Sequence, residues 1–240
     1  MKIKHQKIIV TGLTAVVIVC ALLFAAFLFN SGRPPYDKSL RGVAWFRFNQ
    51  QDSLDGWEEK IFNGRVLYSV KDGSGKGYLN AYSQQAASGI LRWVKFNPKK
   101  HPMISWKWKV VRFPDRKPGI FTDSSWVEKD DYAARFYVIF PRFPFFRLEC
   151  LEYVWDKDLP AGTVLDNANF PNLKIIVASS GDKDLGKWIN VERNVFEDFR
   201  KYFGKSPGDV GAIAIMTDAD NTASTAEAQY NDIEVGYDKK

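Results

Sequence analysis

Short apolar runs separated by turn clusters fill the chain after its first forty residues. The runs are rich in Val, Ile, Phe, Tyr and Trp, which favour strands, and clusters such as Asp72-Gly73-Ser74-Gly75 favour turns. This pattern predicts strands at residues 43–48, 65–70, 77–82, 89–95, 103–112, 132–140, 147–155, 173–179, 186–191, 210–217 and 229–236.

In one of these runs, I-S-W-K-W-K-V, apolar and polar residues alternate with the period of a strand that has one solvent-exposed face. Trp106 and Trp108 share one face, while Lys107 and Lys109 share the other. The two indoles therefore either pack inward or floor a binding groove.

A second run, D-Y-A-A-R-F-Y-V, places a single arginine among aromatic residues. Arg135 shares a face with Asp131, Ala133 and Tyr137. Because an unpaired buried charge is very costly, we expect Arg135 to have a carboxylate partner.

Only one stretch has a persuasive helical pattern. Asn194 is a suitable N-cap, Phe196, Phe199 and Phe203 have helical spacing, and Gly204 is a suitable C-terminal stop. Many strands and one short helix predict a mostly β protein, a two-sheet jelly-roll-like β-sandwich whose helix covers an edge or an open end.

The amino-terminal segment differs from the rest of the chain. Residues 8–29 carry no charge and follow Lys2, Lys4 and Lys7, and as a helix they span about 33 Å, which is enough for a bilayer core. A cleaved signal peptide is the alternative, but its apolar region is usually shorter and ends in small residues. We therefore expect an uncleaved signal-anchor, a transmembrane helix that precedes the sandwich.

The predicted domains are residues 1–30, a basic flank and anchor, residues 31–40, a linker, and residues 41–240, the sandwich. The lysine flank favours a cytoplasmic amino terminus. A single span of a bacterial inner membrane would then place the sandwich in the periplasm.

The net charge of +6 does not indicate nucleic acid. Residues 1–30 hold three lysines and no acids, so the remainder has 34 − 3 = 31 basic against 28 acidic residues. That remainder has no run of five basic residues, and we therefore expect no nucleic-acid partner.

The stretch I-M-T-D-A-D-N-T-A breaks an apolar run with a cluster of polar residues. Asp218, Asp220, Asn221 and Thr222 are typical of a structural turn, but they also suit a polar edge that faces a ligand. The stretch lacks the glycine and the final glutamate of an EF-hand, so only a looser Ca²⁺ site stays open, in which Asp218 and Asp220 would converge with another oxygen donor. We expect no other cofactor.

Candidate catalytic residues are few. His101 is the only histidine after the anchor, in the turn-like context K-K-H-P. The acids Glu149, Glu152, Asp218 and Asp220 offer pairs for glycoside hydrolysis, if two of them face each other across a cleft. We assign no catalytic residue and no metal ligand from the sequence.

The motifs W-K-W-K, D-D-Y-A-A-R-F-Y-V, R-N-V-F-E-D-F and M-T-D-A-D-N-T, in this order, resemble a bacterial family, the domain of unknown function 3047 (DUF3047). That resemblance implies no activity. The opening W-F-R-F-N and the closing A-Q-Y-N-D-I-E-V also resemble the first and last strands of galactose-binding-like jelly rolls, the fold of many carbohydrate-binding modules. Fold alone does not give function.

Together these observations predict a membrane-anchored binding protein that recognises a glycan or another envelope component without catalysis. Two alternatives stay open, a protein-interaction subunit of an envelope assembly and a hydrolase that uses paired carboxylates. The candidate ligand-binding residues are Trp106, Trp108, Arg135, Asp218, Asp220, Asn221 and Thr222.

The anchor can be tested by extraction. Because residues 8–29 are long and apolar enough to span a bilayer, we expect the protein to stay in the membrane fraction after high-salt and carbonate washes. Release of a shortened, soluble form would contradict the anchor.

Overall fold

The computed structural model describes residues 44–71, 77–116, 130–142, 148–166 and 171–238. Within these ranges the chain forms two β-sheets and one α-helix. The strands are β1 (Ala44–Phe46), β2 (Trp57–Asn63), β3 (Leu67–Lys71), β4 (Tyr78–Gln84), β5 (Ala87–Phe96), β6 (Met103–Arg112), β7 (Arg135–Phe140), β8 (Glu149–Asp156), β9 (Val164–Asp166), β10 (Leu173–Ser180), β11 (Ile189–Asn194), β12 (Val210–Asp218) and β13 (Thr225–Tyr237), and the helix is α1 (Val195–Phe203).

The predicted anchor, residues 8–29, and the predicted linker, residues 31–40, lie outside the described residues. In the part of the chain that the structure describes, no helix has the length and apolarity that a membrane span requires.

The first sheet has six strands in the order β11-β6-β13-β4-β3, with β1 also paired to β13. All of its pairs are antiparallel. The long strand β13 is central, because β6 follows one of its sides while β4 and β1 share the other.

The second sheet has seven strands in the order β2-β5-β12-β7-β8-β10-β9, and only its β8–β10 pair is parallel. Every residue of β7 and β8 is buried. The middle of this sheet is therefore covered on both faces, and one of those faces packs against the first sheet.

The core between the two sheets is built around stacked aromatic rings. Trp106 lies parallel to Phe136 of the opposite sheet, with ring centroids 4.4 Å apart and an interplanar angle of 7°. Trp108 packs edge-on against Trp106 and donates its indole N–H to Ser179 at 3.1 Å. The alternation in W-K-W-K is confirmed, and both indoles point inward.

The predicted helix is confirmed, and it closes one end of the sandwich. The Asn194 side chain accepts a hydrogen bond from the Glu197 backbone N–H at 3.0 Å, and Gly204 ends the helix with φ 69°. Phe199 is fully buried and packs on Phe140 at the end of β7, with ring centroids 4.7 Å apart. The helix thus covers core that strands alone leave open.

Each predicted strand has a counterpart, but two observed strands were not predicted. The strand β2, W-E-E-K-I-F-N, is an edge strand with three successive charged residues, and this composition hides the usual alternation. The strand β9 has only three residues, too few for a pattern. The strand predicted at 132–140 begins later, at Arg135, because residues 130–134 form an irregular approach to it.

The importance of the aromatic core can be measured by truncation. We expect Trp106→Ala to lower the free energy of unfolding by about 3–5 kcal/mol, because it leaves a large cavity between the sheets. The control Trp188→Ala removes an indole that is 40% exposed and should change it by less than about 1 kcal/mol. Equal denaturation midpoints for the two variants would contradict this packing.

Candidate functional site

Three carboxyl groups hold Arg135, the first residue of β7. Its fully buried side chain donates from Nε to Glu152 Oε1 at 2.5 Å, from Nη2 to Asp130 Oδ1 at 2.9 Å, and from Nη1 to Asp218 Oδ2. The expected carboxylate partner is confirmed, and there are three of them.

One guanidinium group cannot neutralise three ionised carboxyl groups in a buried site. Burial raises the pKa of Asp130 to about 7, although the charge of Arg135 opposes this shift. Burial likewise raises the pKa of Asp218 well above its usual value, again against the effect of Arg135. Both shifts favour the protonated forms of Asp130 and Asp218, so the cluster carries less negative charge than three ionised carboxyl groups would.

Tyr230 of β13 joins this cluster to the other sheet. Its buried hydroxyl donates to the Met216 carbonyl of β12 at 2.8 Å and accepts from the Arg135 backbone N–H at 3.3 Å. The Thr217 hydroxyl lies 3.1 Å away. One phenol thus connects the first sheet to the two strands that carry Arg135 and Asp218.

Asp131 organises the loop that follows β12. Its carboxylate accepts hydrogen bonds from the backbone N–H of Asn221 at 3.3 Å and of Thr222 at 2.7 Å, and from both of their side chains. Asp220 accepts from the Asn63 side chain at 3.1 Å. Asp220, Asn221 and Thr222 are half-buried at the rim of the sandwich, and these contacts favour the structural-turn interpretation.

Three acids converge at this rim. Oxygen atoms of Asp131, Asp218 and Asp220 lie within 4.8 Å of one another, which is the convergence that the looser Ca²⁺ site requires. The oxygens of Asp131 and Asp218 already accept hydrogen bonds from the loop, from Tyr132 N–H and from Arg135. Ca²⁺ binding here stays a prediction.

Four of the predicted ligand-binding residues need correction. The side chains of Trp106, Trp108 and Arg135 have no exposed surface, and Asp218 is 2% exposed. The indoles build the core, and the arginine donates a hydrogen bond to the aspartate. These four residues therefore support the fold and offer no surface to a ligand.

The acids considered for hydrolysis are also engaged. Glu149 is buried and pairs with Arg142 and Lys205, while Glu152 pairs with Arg135. Among the described residues, these carboxylates hold cations within the structure and do not face each other across an open cleft.

An aromatic pair that the sequence pattern did not indicate lies on the outward face of the first sheet. Trp188, directly before β11, packs edge-on against Tyr78, the first residue of β4, with ring centroids 6.0 Å apart. Lys109 lies over both rings, with its ammonium 5.0 Å from the Trp188 centroid and 5.6 Å from the Tyr78 centroid. The W-K-W-K alternation had indicated that Lys109 faces solvent, but not that two distant aromatic residues meet beside it.

An open cleft of about 460 Å³ adjoins this aromatic pair. Exposed Asn49 and Asn190 contribute amide groups, and neither side chain makes a hydrogen bond to another described residue. The cleft is lined by Arg47, Asn49, Gly77, Lys107, Trp188, Asn190, Asn231 and Asp232.

A β-bulge in β13 brings Asn231 and Asp232 into the cleft together. Asn231 pairs with Lys107 and Glu234 pairs with Ser105, so β13 has one more residue than β6 over this interval. The extra residue, Asp232, has φ 47°, which aspartate tolerates better than most residues. Its carboxylate binds the Lys107 ammonium at 2.7 Å.

The loop that carries Trp188 is fixed to the sheet. The Gly186 backbone N–H donates to the Val110 carbonyl at the end of β6, at 2.8 Å. Gly186 has φ 77°, a conformation that glycine adopts at little cost. The indole is therefore held in position beside Tyr78 by the fold.

A second cleft, of about 390 Å³, lies between the edge strands β2 and β3. It is more apolar, and Leu67 at its margin is 65% exposed. Its lining residues are Leu54, Trp57, Glu59, Arg65, Val66, Leu67, Tyr68 and Ile90.

The structural role of Arg135 is testable by substitution. We expect Arg135→Met to lower the free energy of unfolding by about 3–5 kcal/mol, because it leaves buried carboxyl groups without their cation. In the control Arg65→Met, a side chain that is 73% exposed loses a surface ion pair, and the expected change is below about 1 kcal/mol. A wild-type melting curve for Arg135→Met would overturn the role assigned to the cluster.

The folded chain is similar to several solved domains of low sequence identity. The family 11 carbohydrate-binding module of a Clostridium thermocellum cellulosomal cellulase has 12% identity and a TM-score of 0.44, over 82% of this chain and 97% of that one. The family 30 carbohydrate-binding module of another cellulosomal cellulase of the same organism has 8% identity and a TM-score of 0.45, over 82% and 99%. The xyloglucanase domain of a Sinorhizobium fredii effector has 8% identity and a TM-score of 0.42, over 75% and 91%. Likeness at this level does not indicate what this chain binds.

No curated protein matches the chain. A family model does match, over residues 55–234, which include the strands of both sheets from β2 to the cleft-lining part of β13. The chain therefore belongs to the family described as protein of unknown function DUF3047.

Proposed function

We propose that the outward face of the six-stranded sheet binds a glycan. The observation that carries this proposal is the pair formed by half-exposed Trp188 and Tyr78, fixed beside a polar cleft. A sugar ring has apolar C–H faces and a hydroxyl edge, so it is complementary to an aromatic surface next to hydrogen-bonding groups.

The polar groups around this pair are suited to hydroxyl groups. The amides of Asn49 and Asn190 both donate and accept hydrogen bonds, and both are exposed in the cleft without a described partner. Gln229, on the same face, donates to Asn80 at 3.2 Å, while its buried Oε1 has no hydrogen-bond partner.

The position of the site supports recognition without large rearrangement. Tyr78, Lys107 and Lys109 are on strands, and the Trp188 loop is tied to β6 through Gly186. Binding groups that a rigid sheet holds in place lose little conformational entropy when a ligand binds. The cleft volume is also within the range usual for ligand sites.

The predicted anchor would place this site on the periplasmic side of the inner membrane. If residues 8–29 cross the inner membrane, the sandwich would meet glycans and envelope components on the periplasmic side. The strand β1, the first strand of the described residues, pairs with β13 beside the bulge that lines the cleft.

A glycan array with the full-length protein tests the proposed site. We expect Trp188→Ala to weaken binding roughly tenfold or more, because truncation of a central aromatic contact removes a large share of the binding energy. Asn190→Ala should weaken binding less, through the loss of one amide.

The matched control is Asn221→Ala at the other candidate site, the loop at the rim that contains Asp220, Asn221 and Thr222. It should bind glycans like the wild type. Loss of binding in Asn221→Ala with normal binding in Trp188→Ala would move the site to the rim, and absence of binding to any glycan by the folded wild type would refute the proposed function.

A further inference from the structure

Basic side chains outnumber acids around the cleft. Arg47 and Lys107 share one carboxylate, that of Asp232, at 3.8 Å and 2.7 Å respectively. Lys109 adds a third cation two residues along β6 from Lys107. Asp232 can neutralise only one of these three charges, so the margin of the cleft beside the aromatic pair keeps a positive excess.

Lys109 makes no ion pair with any of the described residues. The other acids on this face are displaced along the strands, since Glu192 and Glu234 both pair with Ser105, and Glu227 pairs with Arg112. The contacts of its ammonium group are with the rings of Trp188 and Tyr78.

This arrangement distinguishes an acidic ligand from a neutral one. An ammonium group over aromatic rings is stabilised modestly, and it retains its full charge for a further anionic partner. An anionic group in the cleft would form a charge-assisted hydrogen bond with it, which is about twice as strong as a neutral one. A neutral sugar on Trp188 would only cover the lysine and remove water from it.

The inference rests on the glycan-binding function proposed above and concerns the class of glycan. We propose that the ligand is an acidic glycan, whose carboxylate, sulfate or phosphate group binds Lys109 while its sugar ring lies against Trp188. The adjacent cations, Arg47 and Lys107, extend the attraction to further acidic units along the cleft.

Matched pairs of ligands test this inference by titration calorimetry with the full-length protein. An oligogalacturonate is compared with its methyl ester, which has the same sugars without the charge, and sulfated dextran is compared with dextran. We expect the charged member of at least one pair to bind at least about tenfold more tightly than its neutral counterpart, with affinity that falls as salt is added. The pair that shows this preference identifies carboxylate or sulfate as the recognised group.

Three substitutions test whether the preference depends on Lys109. Lys109→Gln should abolish most of it, and Lys109→Arg should retain it. Lys95→Gln removes an equal charge from an exposed position on β5 of the other sheet and should leave binding unchanged. Equal losses in Lys109→Gln and Lys95→Gln would show general attraction to polyanions and would overturn the inference.

The failure of this inference is distinguishable from the failure of the proposed function. Equal binding of charged and neutral glycans, lost in Trp188→Ala but not in Lys109→Gln, would leave glycan binding in place and refute the acidic preference. If the folded protein binds none of these ligands or glycans on an array, both proposals fail.

Discussion

The burial of one arginine among three carboxyl groups is the constraint on which the middle of this molecule depends. Arg135 is connected to β8 through Glu152, to the end of β12 through Asp218, and to the approach of β7 through Asp130. The loss of Arg135 would leave these three carboxyl groups in a site without solvent and without their cation, so the three segments keep their positions together. Because the Tyr230 hydroxyl reaches the same backbone from the opposite sheet, the cluster also fixes the two sheets relative to each other.

The polar residues of this protein therefore have two different tasks in two places. In the seven-stranded sheet and at its rim, acids and amides satisfy one another, as Asp131 does with the loop at Asn221 and Thr222. On the outward face of the six-stranded sheet, amides and a lysine are left without such partners among the described residues, next to an exposed indole. The first arrangement stabilises the fold. In the second, polar and charged groups remain available to bind a ligand.

Much of the fold could be predicted from the sequence because its signals are local. The alternation around Trp106, the cap at Asn194 and the stop at Gly204 each depend on a few neighbouring residues. The need of Arg135 for an acid was also evident, since a buried charge requires compensation wherever it occurs. Sequence spacing alone could not show that the acids would come from three separate segments.

The site was harder to predict, for a physical reason. An indole on an alternating strand suits either a core or a binding groove, and Trp106 and Trp108 belong to the core. The face opposite them depends on long-range pairing, which brings Tyr78 and Trp188 together, and on a bulge at Asp232 that lies inside a strand and not at a turn between strands. The most direct measurement of the central claim is a crystal structure of the protein with a bound oligosaccharide. We expect a sugar ring over Trp188 and Tyr78 with its polar groups in the adjoining cleft, whereas a sugar bound at the Asp220–Thr222 rim or between β2 and β3 would contradict the proposed site.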